Sequence, residues 1–191
     1  MKRPAIGGGS WPEEEFGYRS RAEYVAMALD LIRFDIPCSA DGWSAIDDRV
    51  MGGVSASRLR YDAGGYVAFE GEVSLESGGG FASVRSPPMD LAASGAQAYV
   101  LDVLGDGRRY KLNVRTDDGF DGLSYQASFI PPASTWTDMR LPIADFRATY
   151  RGRIVTGAPP LDPAIVRQFG FVIADKQAGS FSLAVRSVRT E

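Results

Sequence analysis

The sequence predicts an all-β fold, two antiparallel sheets packed face to face as a sandwich. Three observations carry that prediction. Apolar and polar residues alternate with a period of two in several segments, glycine-rich turns punctuate the intervals, and no helix-length segment separates the alternating runs. Period-two alternation marks half-buried strands, and the missing helices argue against a parallel α/β sheet.

Residues 1–28 read as an N-terminal extension and residues 29–191 as the sandwich domain. Gly7-Gly8-Gly9-Ser10 has linker composition. Ser20 with Glu23 has the spacing of a capping box, and Tyr24, Met27, Ala28 and Leu31 follow at helical intervals, so a short helix over 20–32 is expected. Leu29–Phe34 reads equally well as a first strand, and both assignments stand at this point. Over Tyr66–Leu75, Val67, Phe69, Gly71, Val73 and Leu75 share one face against Glu70, Glu72 and Ser74. Over 109–115, Tyr110, Leu112 and Val114 alternate with Lys111, Asn113 and Arg115. Over 123–130, Tyr125, Ala127 and Phe129 alternate with Ser124, Gln126 and Ser128. Phe169, Phe171 and Ile173, then Phe181, Leu183 and Val185, repeat the pattern. Turns fall at Ala63-Gly64-Gly65, Ser77–Gly80, Gly105–Gly107, Asp117–Gly119 and Gln177–Gly179. The prolines at 159, 160 and 163 open a short excursion with one helical turn expected around Ala164–Arg167.

Composition narrows the function classes. A chain of 191 residues with 45% hydrophobic residues is long enough to bury about two thirds of its unfolded surface without a metal or disulfide. The net charge of -3 lacks the basic excess of a nucleic-acid binder. The chain has no histidine, which removes Ser-His-Asp and Cys-His catalysis and imidazole metal sites together. Cys38 is the single cysteine, so no internal disulfide forms and it lacks an activating histidine. No run reaches the roughly 20 apolar residues of a membrane span, and no signal-peptide pattern is present. A cytoplasmic protein without cofactor or metal is expected.

Three polar groupings are candidates for function. The first is Asp47-Asp48-Arg49-Val50-Met51-Gly52-Gly53-Val54-Ser55, where carboxylates, an arginine, paired glycines and a hydroxyl crowd one loop. Such a loop can bind a partner, or it can be architecture tied down by its own Asp and Arg. The second is Gly79-Gly80-Phe81-Ala82-Ser83-Val84-Arg85, in which Arg85 can offer its planar fork to an acid or form an internal salt bridge. The third is the polar face of Lys111, Asn113 and Arg115 beside Ser124, Gln126 and Ser128, read as a solvated outer face unless the sheet makes it concave. Tyr125 and Trp136 can stack on a ligand or sit in the core. The acidic pairs Asp47/Asp48 and Asp117/Asp118 offer the weakest case, paired carboxylates for glycoside hydrolysis.

Taken in order, several of these segments resemble a known family. They are Asp48–Ser55, Gly79–Arg85, Gly107–Lys111, Tyr125–Phe129, Trp136 with Leu141-Pro142 and Phe146, Phe169-Gly170-Phe171, and Asp175–Gly179 with Phe181. The ordered set is similar to the complex I intermediate-associated protein 30 family, assembly factors of NADH:ubiquinone oxidoreductase, over residues 29–189. The resemblance implies a jelly-roll β-sandwich of the galactose-binding-domain-like kind. It also implies a non-catalytic module that assembles or stabilises a protein complex, with respiratory-chain subunits or assembly factors as partners. It supplies no catalytic residues. The alternative is a carbohydrate-binding module of the same fold, with a glycan as ligand. Under either reading the expected contacts come from Asp47, Asp48, Arg49, Met51, Gly52, Gly53, Ser55, Gly79, Gly80, Phe81, Ser83, Arg85, Lys111, Arg115, Tyr125 and Trp136.

Overall fold

The computed structural model describes residues 28–119 and 121–191. The expected helix over 20–32 falls mostly outside them. Its last residues are extended instead, as strand β1 (Asp30–Arg33), so the strand reading of 29–34 holds. Twelve further strands follow: β2 (Ser44–Ala45), β3 (Ala56–Asp62), β4 (Tyr66–Val73), β5 (Ala82–Arg85), β6 (Ala98–Leu104) and β7 (Tyr110–Arg115), then β8 (Ser124–Phe129), β9 (Thr137–Pro142), β10 (Arg147–Tyr150), β11 (Arg153–Ile154), β12 (Gln168–Ile173) and β13 (Gly179–Thr190). The helical elements among the described residues are short 3-10 turns, including one at Pro163–Ile165 where the proline excursion predicts a turn.

The strands form two antiparallel sheets in a jelly-roll sandwich. The first has the order β3-β4-β13-β6-β9, with β1 also on β13. The twelve-residue β13 makes this possible. Its first half pairs with β4, its second half with β1 on the same edge, and β6 runs along the other edge past a bulge between Val185 and Ser187. The second sheet has the order β11-β10-β8-β7-β12-β5-β2.

The core lies where the two inner faces meet. Val67, Phe69 and Val73 from β4 and Leu183 and Val185 from β13 face Tyr110, Leu112 and Val114 from β7 and Phe169, Phe171 and Ile173 from β12. These are the residues whose alternation predicts the strands. Leu75 departs from that pattern: β4 ends at Val73, the chain turns, and Leu75 is exposed. Strand β6 carries no alternation to read, because Ala98, Tyr99, Val100 and Leu101 are all buried. Two-sided burial leaves a continuous apolar run.

Tyr99 is fully buried, packed edge-on to Phe146 and Phe169 with ring centroids 5.7 and 5.1 Å away. Its hydroxyl has no hydrogen-bond partner among the described residues, and burial, followed by Asp162, pushes its pKa up. A buried hydroxyl that gains nothing retains only its desolvation penalty. Tyr99→Phe should therefore leave the thermal midpoint unchanged or raise it, as scanning calorimetry would show.

Candidate functional site

The Asp47–Ser55 segment is built around two buried carboxylates. A 3-10 turn at Asp48–Met51 is closed by Gly52 at φ 92°. Asp48 is fully buried, and its oxygens accept from the Ser55 N–H at 2.9 Å, the Ser55 hydroxyl at 2.6 Å, the Gly80 N–H at 2.7 Å and the Phe81 N–H at 3.3 Å. Asp47 does the same one residue earlier, accepting from the Ser57 N–H at 2.9 Å, the Ser57 hydroxyl at 2.6 Å and the Ser83 N–H at 3.1 Å. Burial pushes the Asp48 pKa up. The hydrogen bonds from the Ser55 hydroxyl and from the N–H groups of Gly80, Phe81 and Ser55 outweigh it and hold the carboxyl below its ordinary value.

The glycines complete this clip. A Cβ on Gly53 would overlap the Asp48 carboxylate, and one on Gly79 would lie 2.6 Å from Asp48 Oδ2. Neither residue has room for a Cβ, because the carboxylate fills that space, together with the Ser74 carbonyl oxygen beside Gly79. The arginine of the motif does not bind either aspartate: Arg49 Nε donates to the Ser55 carbonyl at 3.2 Å. Of the expected contact residues, Asp47, Asp48, Gly53 and Ser55 belong to this clip. Their polar atoms are turned inward, toward the backbone and the serine hydroxyls they hold.

The clip shapes a site beside it. By fixing Gly80, Phe81 and Ser83 on one side and the Val50–Met51 turn on the other, it builds one wall of a depression of about 630 Å³ across the outer face of the second sheet. Arg85, Gly170, Asn113 and Gln126 stand side by side on β5, β12, β7 and β8. Gly170 leaves a gap in this row; a Cβ there would lie 2.6 Å from the Val84 carbonyl oxygen. Gln126 Nε2 donates to Asn113 Oδ1 at 3.0 Å and fixes the centre of the floor.

Five cationic side chains (Arg85, Lys111, Arg115, Arg151 and Lys176) line the depression against two acidic ones, Asp121 and Asp175. Lys111 Nζ is 2.9 Å from Asp175, Arg151 2.7 Å from Asp121, and Arg115 2.7 Å from Asp117. Burial first, then the neighbouring Arg115, lower the pKa of Arg85, with Asp117 opposing. The guanidinium stays charged at any physiological pH.

The third polar grouping divides: Ser128 is exposed and Lys111, Ser124 and Gln126 are half-buried, while Arg115 and Asn113 are recessed. Arg115 is 3% exposed and Asn113 8%, far from a solvated face. Loops rise around them: Gly122 lies so close that a Cβ would meet Arg115 Nη2 at 2.9 Å. Of the expected contact residues, Met51, Gly79, Gly80, Phe81, Ser83, Arg85, Lys111 and Arg115 come together here. Arg49 and Gly52 are exposed near the wall without lining it.

Tyr125 and Trp136 do not reach the site. Tyr125 points into the core from β8, because its place in the alternation is the inward one. Trp136 packs against Tyr66 and lies under the Arg186 guanidinium, 3.7 Å from its ring centroid. Asp121, Arg151, Asp175 and Lys176 are lining residues that the alternation does not mark, since all four sit in turns.

The two sheets form a jelly-roll sandwich of the galactose-binding-like fold, with an open polar depression on one of them. The chain belongs to the family described as Complex I intermediate-associated protein 30, whose sequence profile matches residues 32–185. It is 30% identical over 169 residues to an uncharacterized protein of Schizosaccharomyces pombe, covering 76% of this chain and 75% of that one. It is 27% identical over 182 residues to the mitochondrial Complex I intermediate-associated protein 30 of Drosophila melanogaster, covering 83% of this chain and 61% of that protein. Among solved structures it is similar to the family 11 carbohydrate-binding module of a Clostridium thermocellum cellulosomal cellulase, with a TM-score of 0.62 at 15% identity, covering 85% of this chain and 93% of the module. The same kind of module bound to a β-1,3-1,4-mixed-linked tetrasaccharide gives 0.59 at 17% identity, covering 85% and 94%.

Proposed function

We propose that the chain is a non-catalytic module that binds a protein partner through the outer face of β5, β12, β7 and β8, and that it acts in assembly or stabilisation of a protein complex. The observation that carries the reading is the depression itself. An outer sheet face is normally solvated, yet here Arg115 and Asn113 are drawn into a walled recess of ligand-site size. Family membership and the Drosophila relative, whose name places it with complex I intermediates, support respiratory-chain subunits as the client class.

The test is capture of the tagged chain from its own cells at gentle salt, read by mass spectrometry, beside a Lys111→Ala variant. Among the described residues Lys111 pairs with Asp175; the Lys111 side chain is 20% exposed and that of Asp175 46%, so loss of the ion pair itself should cost little stability. The wild type should recover a defined complex, and the variant should lose most of it at an unchanged thermal midpoint. Equal recovery by both would move the partner surface elsewhere.

A glycan is the second reading, favoured by the fold of the carbohydrate-binding module. Sugar recognition draws on aromatic platforms, and Phe81 is the one aromatic among the described lining residues. Titration with a mixed-linked β-glucan tetrasaccharide, followed by calorimetry, should accordingly show no heat of binding.

A further inference from the structure

We infer that the depression receives an acidic segment of the partner protein, one carrying carboxylates beside apolar side chains. The inference rests on the protein-binding reading above and names the chemistry of what binds.

Charge is the first argument. Cations outnumber acids five to two around the depression, in a chain whose net charge is -3. The positive set is concentrated here against the trend of the whole molecule. Its two acids are weak competitors: the Asp175 and Asp121 side chains are 46% and 50% exposed. Ion pairs of that exposure contribute little and exchange readily with an incoming carboxylate. Deeper in, Arg85 and Arg115 line the same recess, with Asp117 beside Arg115 at 2.7 Å.

The rim supplies the second argument. Five non-glycine residues have positive φ among the described residues, and three of them line this depression: Arg151 at 49°, Asp175 at 62° and Lys176 at 58°. Arg151 sits with Gly152 in the β10–β11 turn, and Asp175 with Lys176 in the β12–β13 turn. Left-handed backbone favours glycine, asparagine and aspartate, and a long side chain there is strained, both in the β10–β11 hairpin and in the β12–β13 connection between the two sheets. The fold nevertheless places two long cationic side chains at such positions, both on the rim of one depression. Strain of this kind gathers at functional sites.

The third argument separates a polypeptide from a free anion. Val50 and Met51 are 67% and 65% exposed, yet they lie on the 3-10 turn that the Asp48 clip fixes, and with Phe81 they form an apolar lip on the cationic recess. Inorganic phosphate or citrate would leave that lip unused. A segment that alternates acidic and apolar side chains would engage both parts, and a volume of about 630 Å³ has room for several side chains.

The test uses the full chain and fluorescein-labelled short peptides alternating Glu with Leu, Lys with Leu, or Ser with Leu, read by anisotropy at low and high salt. The Glu-Leu peptide should bind about tenfold more tightly than the Ser-Leu peptide, with the preference shrinking as salt rises. An Arg151→Gly/Lys176→Gly variant should lose most of that preference while its thermal midpoint stays level or rises, because glycine relieves both turns. A Val50→Ser/Met51→Ser variant should weaken Glu-Leu binding and keep the salt dependence. No preference for the Glu-Leu peptide would overturn the inference, as would its full displacement by phosphate at equal concentration, which would mark a small-anion site. A chain that ignores the peptide yet still captures its complex from cells would leave the protein-binding reading standing and remove this one alone.

Discussion

Asp48→Ala should destabilise the chain by about 3–5 kcal/mol, the loss expected when a fully buried, hydrogen-bonded charge is removed and its partners are left unpaired. The substitution strands the buried N–H and hydroxyl of Ser55 and the partly buried N–H groups of Gly80 and Phe81. It also cuts the tie between the 3-10 turn and the Gly80–Phe81 wall, so the depression should lose its shape along with stability. Denaturant titration would measure the loss as a shift of midpoint at nearly constant slope. The pH dependence has a definite sign. Because the folded state holds Asp48 below its ordinary pKa, its contribution is present above about pH 4 and is lost as pH falls through the folded value. The gap between wild type and Asp48→Ala should therefore narrow in acid. A gap that stayed constant down to strongly acidic pH would mean the carboxylate is not what the N–H groups bind.

Gly53→Ala should cost about 1–3 kcal/mol, the range for overpacking at a buried site. The cause is contact alone, since Gly53 is not among the glycines of positive φ. The added methyl would occupy the space of the Asp48 carboxylate itself. That gives the prediction a second arm. In the Asp48→Ala background the obstructing carboxylate is gone, so Gly53→Ala should cost much less there. The two substitutions should be strongly non-additive, as expected for groups in direct contact. Additive losses in denaturant titration would place the strain of Gly53→Ala somewhere other than the carboxylate.

Much of the fold can be read from the sequence because burial in a sandwich follows the pleat. Each inner face repeats every second residue, so Phe169, Phe171 and Ile173 announce β12, and Tyr110, Leu112 and Val114 announce β7. The rule breaks where burial is two-sided, as in β6, and where a strand stops early, as before Leu75. The site is legible only in part, for a different reason. Asp47 and Asp48 look like binding groups because they are adjacent, charged and flanked by glycine. Those same features let a carboxylate fold back on its own backbone, and only the partners of its oxygens tell the two uses apart. Conversely, Arg151 and Lys176 lie in turns without periodicity, and they join Arg85 and Arg115 only because the β10–β11 hairpin and the β12–β13 connection border one face of the sheet. Alternation fixes which side of a strand a residue occupies. It says nothing of what stands above that side.

The outer face of the second sheet, bordered by the Val50–Met51 lip, is the surface proposed to meet the partner. The most direct measurement is lysine footprinting by acetylation, comparing the chain alone with the chain in its captured complex. The chain has three lysines, and two of them, Lys111 and Lys176, line the depression. Both should become protected in the complex, with the exposed Lys176 showing the larger change. Equal acetylation of Lys111 and Lys176 in the free and bound chain would contradict the claim and place the interface on another face of the sandwich.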